Sequence, residues 1–178
     1  EKPDLVSLKI PAFKNLYETT PDFTCNGNEF ICVTPYKDNV IQDAIDSNNL
    51  NISRGCEVMK PLGFVFESDK LNKDVQLENI KNIYASHKDE ILGIVDSANK
   101  SYHLTVMLDE GDFTESDITI MTKHFKEIWS HIGEYLGFDV TTLDPACANI
   151  GRLTRCPDGV RADGRIQECL HWNNKARL

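Results

Sequence analysis

Three short segments of this chain carry residues whose types and spacing suit chemistry on a phosphate. FVFESDK (64–70) places Glu67 and Asp69 two apart at the end of an apolar run. SANKSYH (97–103) places Lys100, Ser101 and His103 at the entry to a second apolar run. LDPACANIGRLTRCPDG (143–159) adds Asp144, followed by Arg152 and Arg155. Three carboxylates in two clusters, with cationic residues between them, are the parts of a metal-dependent phosphoryl-transfer site.

Side chains two apart on a strand project to the same face, so Glu67 and Asp69 should point together from the end of a strand. Crowded carboxylates repel, and a divalent cation relieves the repulsion. Hard oxygen ligands select Mg²⁺ or Mn²⁺, which also accept phosphate oxygens. With Asp144 alongside, three carboxylates could hold two ions about 3.5–4 Å apart. Ser101 and His103 share a face by the same two-residue period and, with Lys100, could hold a nucleoside triphosphate. Arg152 and Arg155 could clamp further phosphates. Taken singly, each feature has a plainer reading: an exposed acidic pair, a core histidine, a surface arginine pair.

The elements that must position these residues follow from periodicity. EFICVTP (29–35) reads as a short strand, and residues 38–47 carry Val40, Ile41, Ala44 and Ile45 at helical spacing. LGFVFES (62–68) reads as a buried strand. Asn72 is a fitting N-cap for a helix with Val75, Leu77, Ile80, Ile83 and Tyr84 on its apolar face, ending near His87. ILGIVDS (91–97) and YHLTVML (102–108) flank a polar turn and predict a hairpin. Ile118, Met121, Phe125, Ile128, Trp129, Ile132 and Leu136 predict one long core helix over 116–136, stopped by Gly137. Short strands are expected at 140–144 and 165–172. From residue 61 onward the order is strand, helix, strand, strand, helix, strand, which predicts an α+β, ferredoxin-like or RNA-recognition-like (RRM-like) palm with a mixed or antiparallel sheet. Residues 1–60, with prolines at 3, 11, 21 and 35, would form a small N-terminal α/β lobe beside it in one catalytic core of 178 residues.

Composition sets the frame. A 178-residue chain with 40% hydrophobic and 26% charged residues suits one globular domain. No run approaches the roughly 18 apolar residues of a membrane helix, so a soluble cytoplasmic protein with no membrane partner is expected. The net charge of −9 argues against a generally basic nucleic-acid coat. Its distribution is uneven: residues 149–178 hold six basic residues against three acidic ones, a tail of +3 on a body of −12. Six cysteines occur without a Cys-x-x-Cys pair. Free intracellular thiols are therefore expected in preference to a zinc site at Cys147, Cys156, Cys169 and His171.

In order and spacing, the three segments resemble the three motifs of the archaeo-eukaryotic primase superfamily. Glu67-Ser-Asp69 is similar to its acid-x-acid motif, Ser101-Tyr-His103 to its Ser-x-His motif, and Asp144 to its lone acid. Ser97-Ala-Asn-Lys100 resembles the Ser-Gly-x-Lys found before the second motif, and LDPACANIGRLTRCPDG resembles the Asp-Pro-x-Cys to Arg-Leu-x-Arg-x-Pro-Gly segment of phage- and plasmid-type primase–polymerases. The resemblance covers about residues 60–172. It implies a primase palm and a nucleotidyltransferase acting with Mg²⁺ or Mn²⁺ on a DNA template and primer. Glu67, Asp69 and Asp144 would be catalytic metal ligands, and Lys100, Ser101, His103, Arg152 and Arg155 would bind the nucleoside triphosphate. The chain departs from the pattern at Ala98, in the Asp158 inserted before Gly159, and in having Glu as its first acid. Family members usually carry a helical or zinc-binding module after the core. The chain therefore reads as a bare catalytic core, with further domains in a longer replication protein. A non-catalytic nucleic-acid or nucleotide-binding module and a metal-dependent nuclease are the alternatives the same residues allow.

Overall fold

The computed structural model describes residues 30–49 and 52–178, so the proline-rich opening of the expected N-terminal lobe lies outside the described residues. The framework is a four-stranded antiparallel sheet whose strands at residues 63–66, 91–96 and 102–107 are almost wholly buried, whereas the edge strand at residues 169–172 is partly open to solvent. Its members are β2 (Gly63–Phe66), β3 (Ile91–Asp96), β4 (Tyr102–Met107) and β6 (Cys169–Trp172), in the order β2-β4-β3-β6. β4 is antiparallel to both β2 and β3. Those two strands therefore run parallel, flanking it, and are joined by the helix α2 (Lys73–His87). β3 and β4 form the expected hairpin, closed at Asp96↔Tyr102.

Local chemistry explains why α2 begins where it does. The Asn72 side chain accepts a hydrogen bond from the Val75 N–H at 2.9 Å, satisfying one of the helix's orphan donors. Its buried face differs from the expected one. Ile80 and Ile83 are buried, but Val75 and Tyr84 face solvent, and the polar Gln76 is buried in their place. The Gln76 amide donates to Leu71 O and Lys100 O and accepts from Tyr102 N–H, at 2.7, 2.9 and 3.1 Å. It ties the β3–β4 turn to the helix, and these three bonds offset the cost of burying an amide.

The expected long helix is two: α3 (Glu115–Lys123) and α4 (Phe125–Leu136), separated by His124 at φ −110°, ψ 25°. A Thr114–Asp117 capping box starts α3, and Gly137 at φ 97° ends α4. Immediately after the break, Phe125 stacks on Phe64 with ring centroids 4.9 Å apart, and Trp129 donates its indole N–H to Val65 O at 2.8 Å. Those contacts with β2 set the direction of α4, and a continuous 21-residue helix is not required by the core.

β1 (Phe30–Cys32) pairs with β5 (Leu153–Arg155), a partnership that periodicity did not predict. The helix α1 (Asp38–Asp46) follows β1 and buries Ala44. The described part of residues 1–60 contributes Ile31, Val33, Tyr36 and Met59 to the same continuous core as Phe64, Leu104 and Trp129. The strand expected at 140–144 is absent. Residues Val140–Thr142 and Pro145–Cys147 are short 3-10 turns, because Asp139 and Asp144 each cap a backbone N–H two residues on and Pro145 cannot donate to a ladder. The 165–172 strand is shortened to β6, which adds to the free edge of β3 and lays Trp172 over Gly93. No helix among the described residues is long and apolar enough to cross a membrane.

Candidate active site

The carboxyl end of β2, the β3–β4 turn and the start of β5 meet at one cleft of about 930 Å³. β2 ends at Phe66, so Glu67 and Asp69 lie in the irregular chain beyond it. With no ladder to enforce the two-residue period, they separate: Glu67 is buried and Asp69 is exposed, although both line the cleft. Asp144 comes to Glu67 through a backbone bond, Asp144 N–H to Glu67 O at 2.9 Å. Ser68 Oγ and Lys70 Nζ, each donating at 2.6 Å to Thr142 O and Thr141 O, lace the same two segments together.

Glu67 is the hub. Ser101 Oγ donates to its Oε2 at 3.2 Å, and His103 Nε2 lies 2.6 Å from the same oxygen. Arg152 Nη2 contacts Oε1, and the Cys147 thiol approaches that atom at 3.7 Å. A carboxylate only 7% exposed must be matched by donors, and these four side chains match it. The Arg152 Nη2 also lies 3.2 Å from Asp144 Oδ2, so one guanidinium bridges the two carboxylates.

His103 is 5% exposed. Burial, then the nearby Arg155 charge, lowers its pKa from 6.5 to about 4, so the ring is neutral near pH 7. Thr154 Oγ1 lies 3.1 Å from Nδ1. The network therefore places the ring proton on Nε2, directed at Glu67, with Nδ1 accepting from Thr154. His103 thus orients a carboxylate. Burial raises the Cys147 thiol well above its ordinary pKa, reinforced by Asp144 and Asp69, so it is a protonated donor and not a thiolate.

Cationic groups crowd the walls. Arg54, Lys100, Arg152, Arg155 and Arg161 line the cleft with Glu67 and Asp69. Arg155 stacks over the Phe30 ring at 4.0 Å, and burial followed by repulsion from Arg161 and Arg152 lowers its pKa to about 10. Arg161 is anchored by donating to Ser97 O at 3.1 Å. An excess of cations around one buried and one exposed carboxylate, in a chain of net charge −9, is a local environment for an anion.

Every residue singled out from the sequence borders this cleft or contacts Glu67. Glu67, Ser101, His103, Asp144 and Arg152 are in direct contact, whereas Asp69, Lys100 and Arg155 line the walls. Arg54, Arg161, Thr154 and Gln76 are the contributors that sequence reasoning missed, and Cys147 had been weighed only as a zinc ligand. Arg161 had registered only as a charge of the basic tail. Gln76 had one visible sign, a polar residue at a core-facing helical position. The cysteines correct one expectation, that all of their thiols are free. Cys32, Cys56, Cys147 and Cys169 keep their thiols, but Cys156 is disulfide-bonded. Cys169 and His171 bond to backbone carbonyls of His171 and Ile91, away from Cys147.

The donor set could hold a metal ion. Oxygens of Glu67 and Asp144 and the Cys147 sulfur lie within 4.8 Å of one another, and Asp69 adds an exposed carboxylate on the same cleft.

The turn that presents Lys100 holds one strained residue. Ala98 sits at φ 56°, the left-handed region that glycine occupies without cost. Its N–H donates to Asp96 Oδ1 at 2.7 Å, and Arg165 donates to its carbonyl, so the surroundings impose the conformation. Ala98→Gly is expected to stabilise the protein by about 1 kcal/mol, raising the melting temperature by about 2–4 °C. A melt showing no rise would contradict that account of the turn. No family model, curated protein or solved structure matches the chain.

Proposed function

We propose that this chain is the catalytic core of a template-directed primase–polymerase of the archaeo-eukaryotic primase type, adding nucleotides to a DNA primer or a first nucleotide. The observation that carries this reading is Glu67, lining a cleft walled by Lys100, Arg155 and Arg161, with the Asp144 carboxylate close beside it. The split β–α–β unit of β2, α2 and β3 around β4 supports an RRM-like palm, with β6 at the outer edge and no strand at 140–144.

In this reading Glu67, Asp144 and Asp69 hold Mg²⁺ or Mn²⁺, which supplies Lewis-acid activation of the α-phosphate and of the attacking hydroxyl. The 3′-hydroxyl oxygen bonds to the α-phosphorus, its proton leaves to solvent, and the bond to the β-phosphate breaks to release pyrophosphate. Lys100 and Arg155 bind the triphosphate oxygens from the walls, and Arg161 extends the same cationic surface. Ser101 and His103 hold Glu67 in place through their hydrogen bonds. His103 and Ser101 thereby act on the ligand carboxylate more directly than on the nucleotide.

One observation favours a non-catalytic nucleotide-binding module: Arg152 already pairs with both the buried Glu67 and the half-buried Asp144. Incubation with a labelled primed template, deoxynucleoside triphosphates and Mn²⁺ separates the readings. Extension of the primer is expected. Shortening would select a nuclease, and unchanged but retained DNA would select the binding module.

A further inference from the structure

Arg152 presents two features that no static triphosphate clamp requires. Its Nη2 sits between Glu67 Oε1 and Asp144 Oδ2, in the place where a cation shared by those carboxylates would sit. Its Nε is buried and has no hydrogen-bond partner, a donor left without an acceptor in an otherwise matched site. Burial also lowers the Arg152 pKa, so the guanidinium is held there against a desolvation cost.

We infer that Arg152 is a resident counter-cation that exchanges places with the divalent ion, releasing the carboxylates to the metal and moving onto the phosphates of the incoming nucleotide. This inference rests on the nucleotidyltransferase reading. A divalent ion and a guanidinium on the same two carboxylates repel one another at contact distance, where the buried setting screens charge poorly. Arg152 must therefore leave as the ion enters. The walls beyond are mostly cationic, Arg155 and Arg161 among them, and their one carboxylate, Asp69, is a ligand of the ion in this reading, so they leave it no free anion. A triphosphate does, and it can satisfy Nε as well as the fork of the guanidinium. Metal and nucleotide are then coupled through one side chain: each favours the state that receives the other, and by linkage the coupling is reciprocal.

The device predicts effects of opposite sign from one substitution. In Arg152→Gln, Mn²⁺ alone, followed by the electron paramagnetic resonance of the free ion, should bind on the order of tenfold more tightly than in the wild type, because its competitor is gone. With Mn²⁺ saturating, a fluorescent non-hydrolysable deoxynucleoside triphosphate should bind on the order of tenfold more weakly, because a phosphate partner is gone. Arg155→Gln, which removes a wall charge without freeing the carboxylates, should change Mn²⁺ affinity by less than about threefold. Arg152→Lys keeps the charge in a folded site, and its Mn²⁺ affinity should stay near the wild-type value. A merely structural Arg152 would weaken both ligands together, and that result would overturn the exchange. Equal tightening of Mn²⁺ by Arg155→Gln would overturn it too, by showing a diffuse charge effect. Failure of primer extension alongside the opposite-sign signature would remove the polymerase reading and keep the exchange. Extension without that signature would do the reverse.

Discussion

Asp144→Asn should reduce nucleotide incorporation on the order of 1,000-fold, equivalent to about 4 kcal/mol of lost transition-state stabilisation, in a protein that melts like the wild type. The asparagine is chosen because the Asp144 side chain also has a structural task. Its Oδ1 accepts from the Ala146 N–H at 3.0 Å, capping the Pro145–Cys147 turn, and an asparagine oxygen does the same. The backbone bond from residue 144 to Glu67 O is untouched. The negative charge facing the Arg152 Nη2 and the candidate ion is removed alone. Single-nucleotide extension of a primed template, with circular dichroism melts of both proteins, measures the two quantities separately. Wild-type-like extension by Asp144→Asn would remove Asp144 from the chemistry. Asp69→Ala is a companion test, because Asp69 is exposed and makes no structural contact that the substitution would cost.

Gly63→Ala should destabilise the fold by about 3 kcal/mol, a fall of about 10 °C in melting temperature. A Cβ at Gly63 would lie 2.5 Å from Val33 O, 2.6 Å from Val33 C and 2.7 Å from Thr34 N. All three are backbone atoms, so no side-chain rotation can relieve the overlap. The approach is further pinned by Thr34 Oγ1, which donates to Gly63 O at 2.9 Å. The chain after β1 is thus held against the first residue of β2, three residues before the strand ends and four before Glu67. A thermal melt within about 2 °C of the wild type would show that this approach is looser than the structure describes. The same contact explains a feature that composition hides: a glycine inside an apolar strand marks another backbone passing close by.

Much of the framework was legible in the sequence because it is local. The cap at Asn72 needs only the Val75 N–H three residues away. The β3–β4 hairpin needs two apolar runs and a polar turn between them. Where the sequence reading failed, a distant partner outweighed a local pattern. Residues 116–136 are periodic throughout, yet the helix breaks at His124 beside the Phe125 stack on Phe64. Val75 and Tyr84 fit an apolar face, but Gln76 takes the buried position because the β3–β4 turn supplies partners for its amide. At 140–144 the error was itself local: aspartate caps and Pro145 favour turns, and apolar spacing alone concealed that.

The sequence by itself determined the α+β framework and many, though not all, of the side chains that reach the cleft, since strand and helix periods and the three motif spacings are short-range properties. Only the tertiary structure decided how those side chains divide the work. Glu67 and Asp69, two apart and alike in charge, become a buried hub and an exposed wall residue because β2 stops at Phe66. Arg152 lies 85 positions from Glu67, yet it pairs with the carboxylates. His103 is neutral and directed at Glu67 because burial and Thr154 set its proton. Which charge meets which is governed by desolvation, and desolvation exists only once distant segments have packed together.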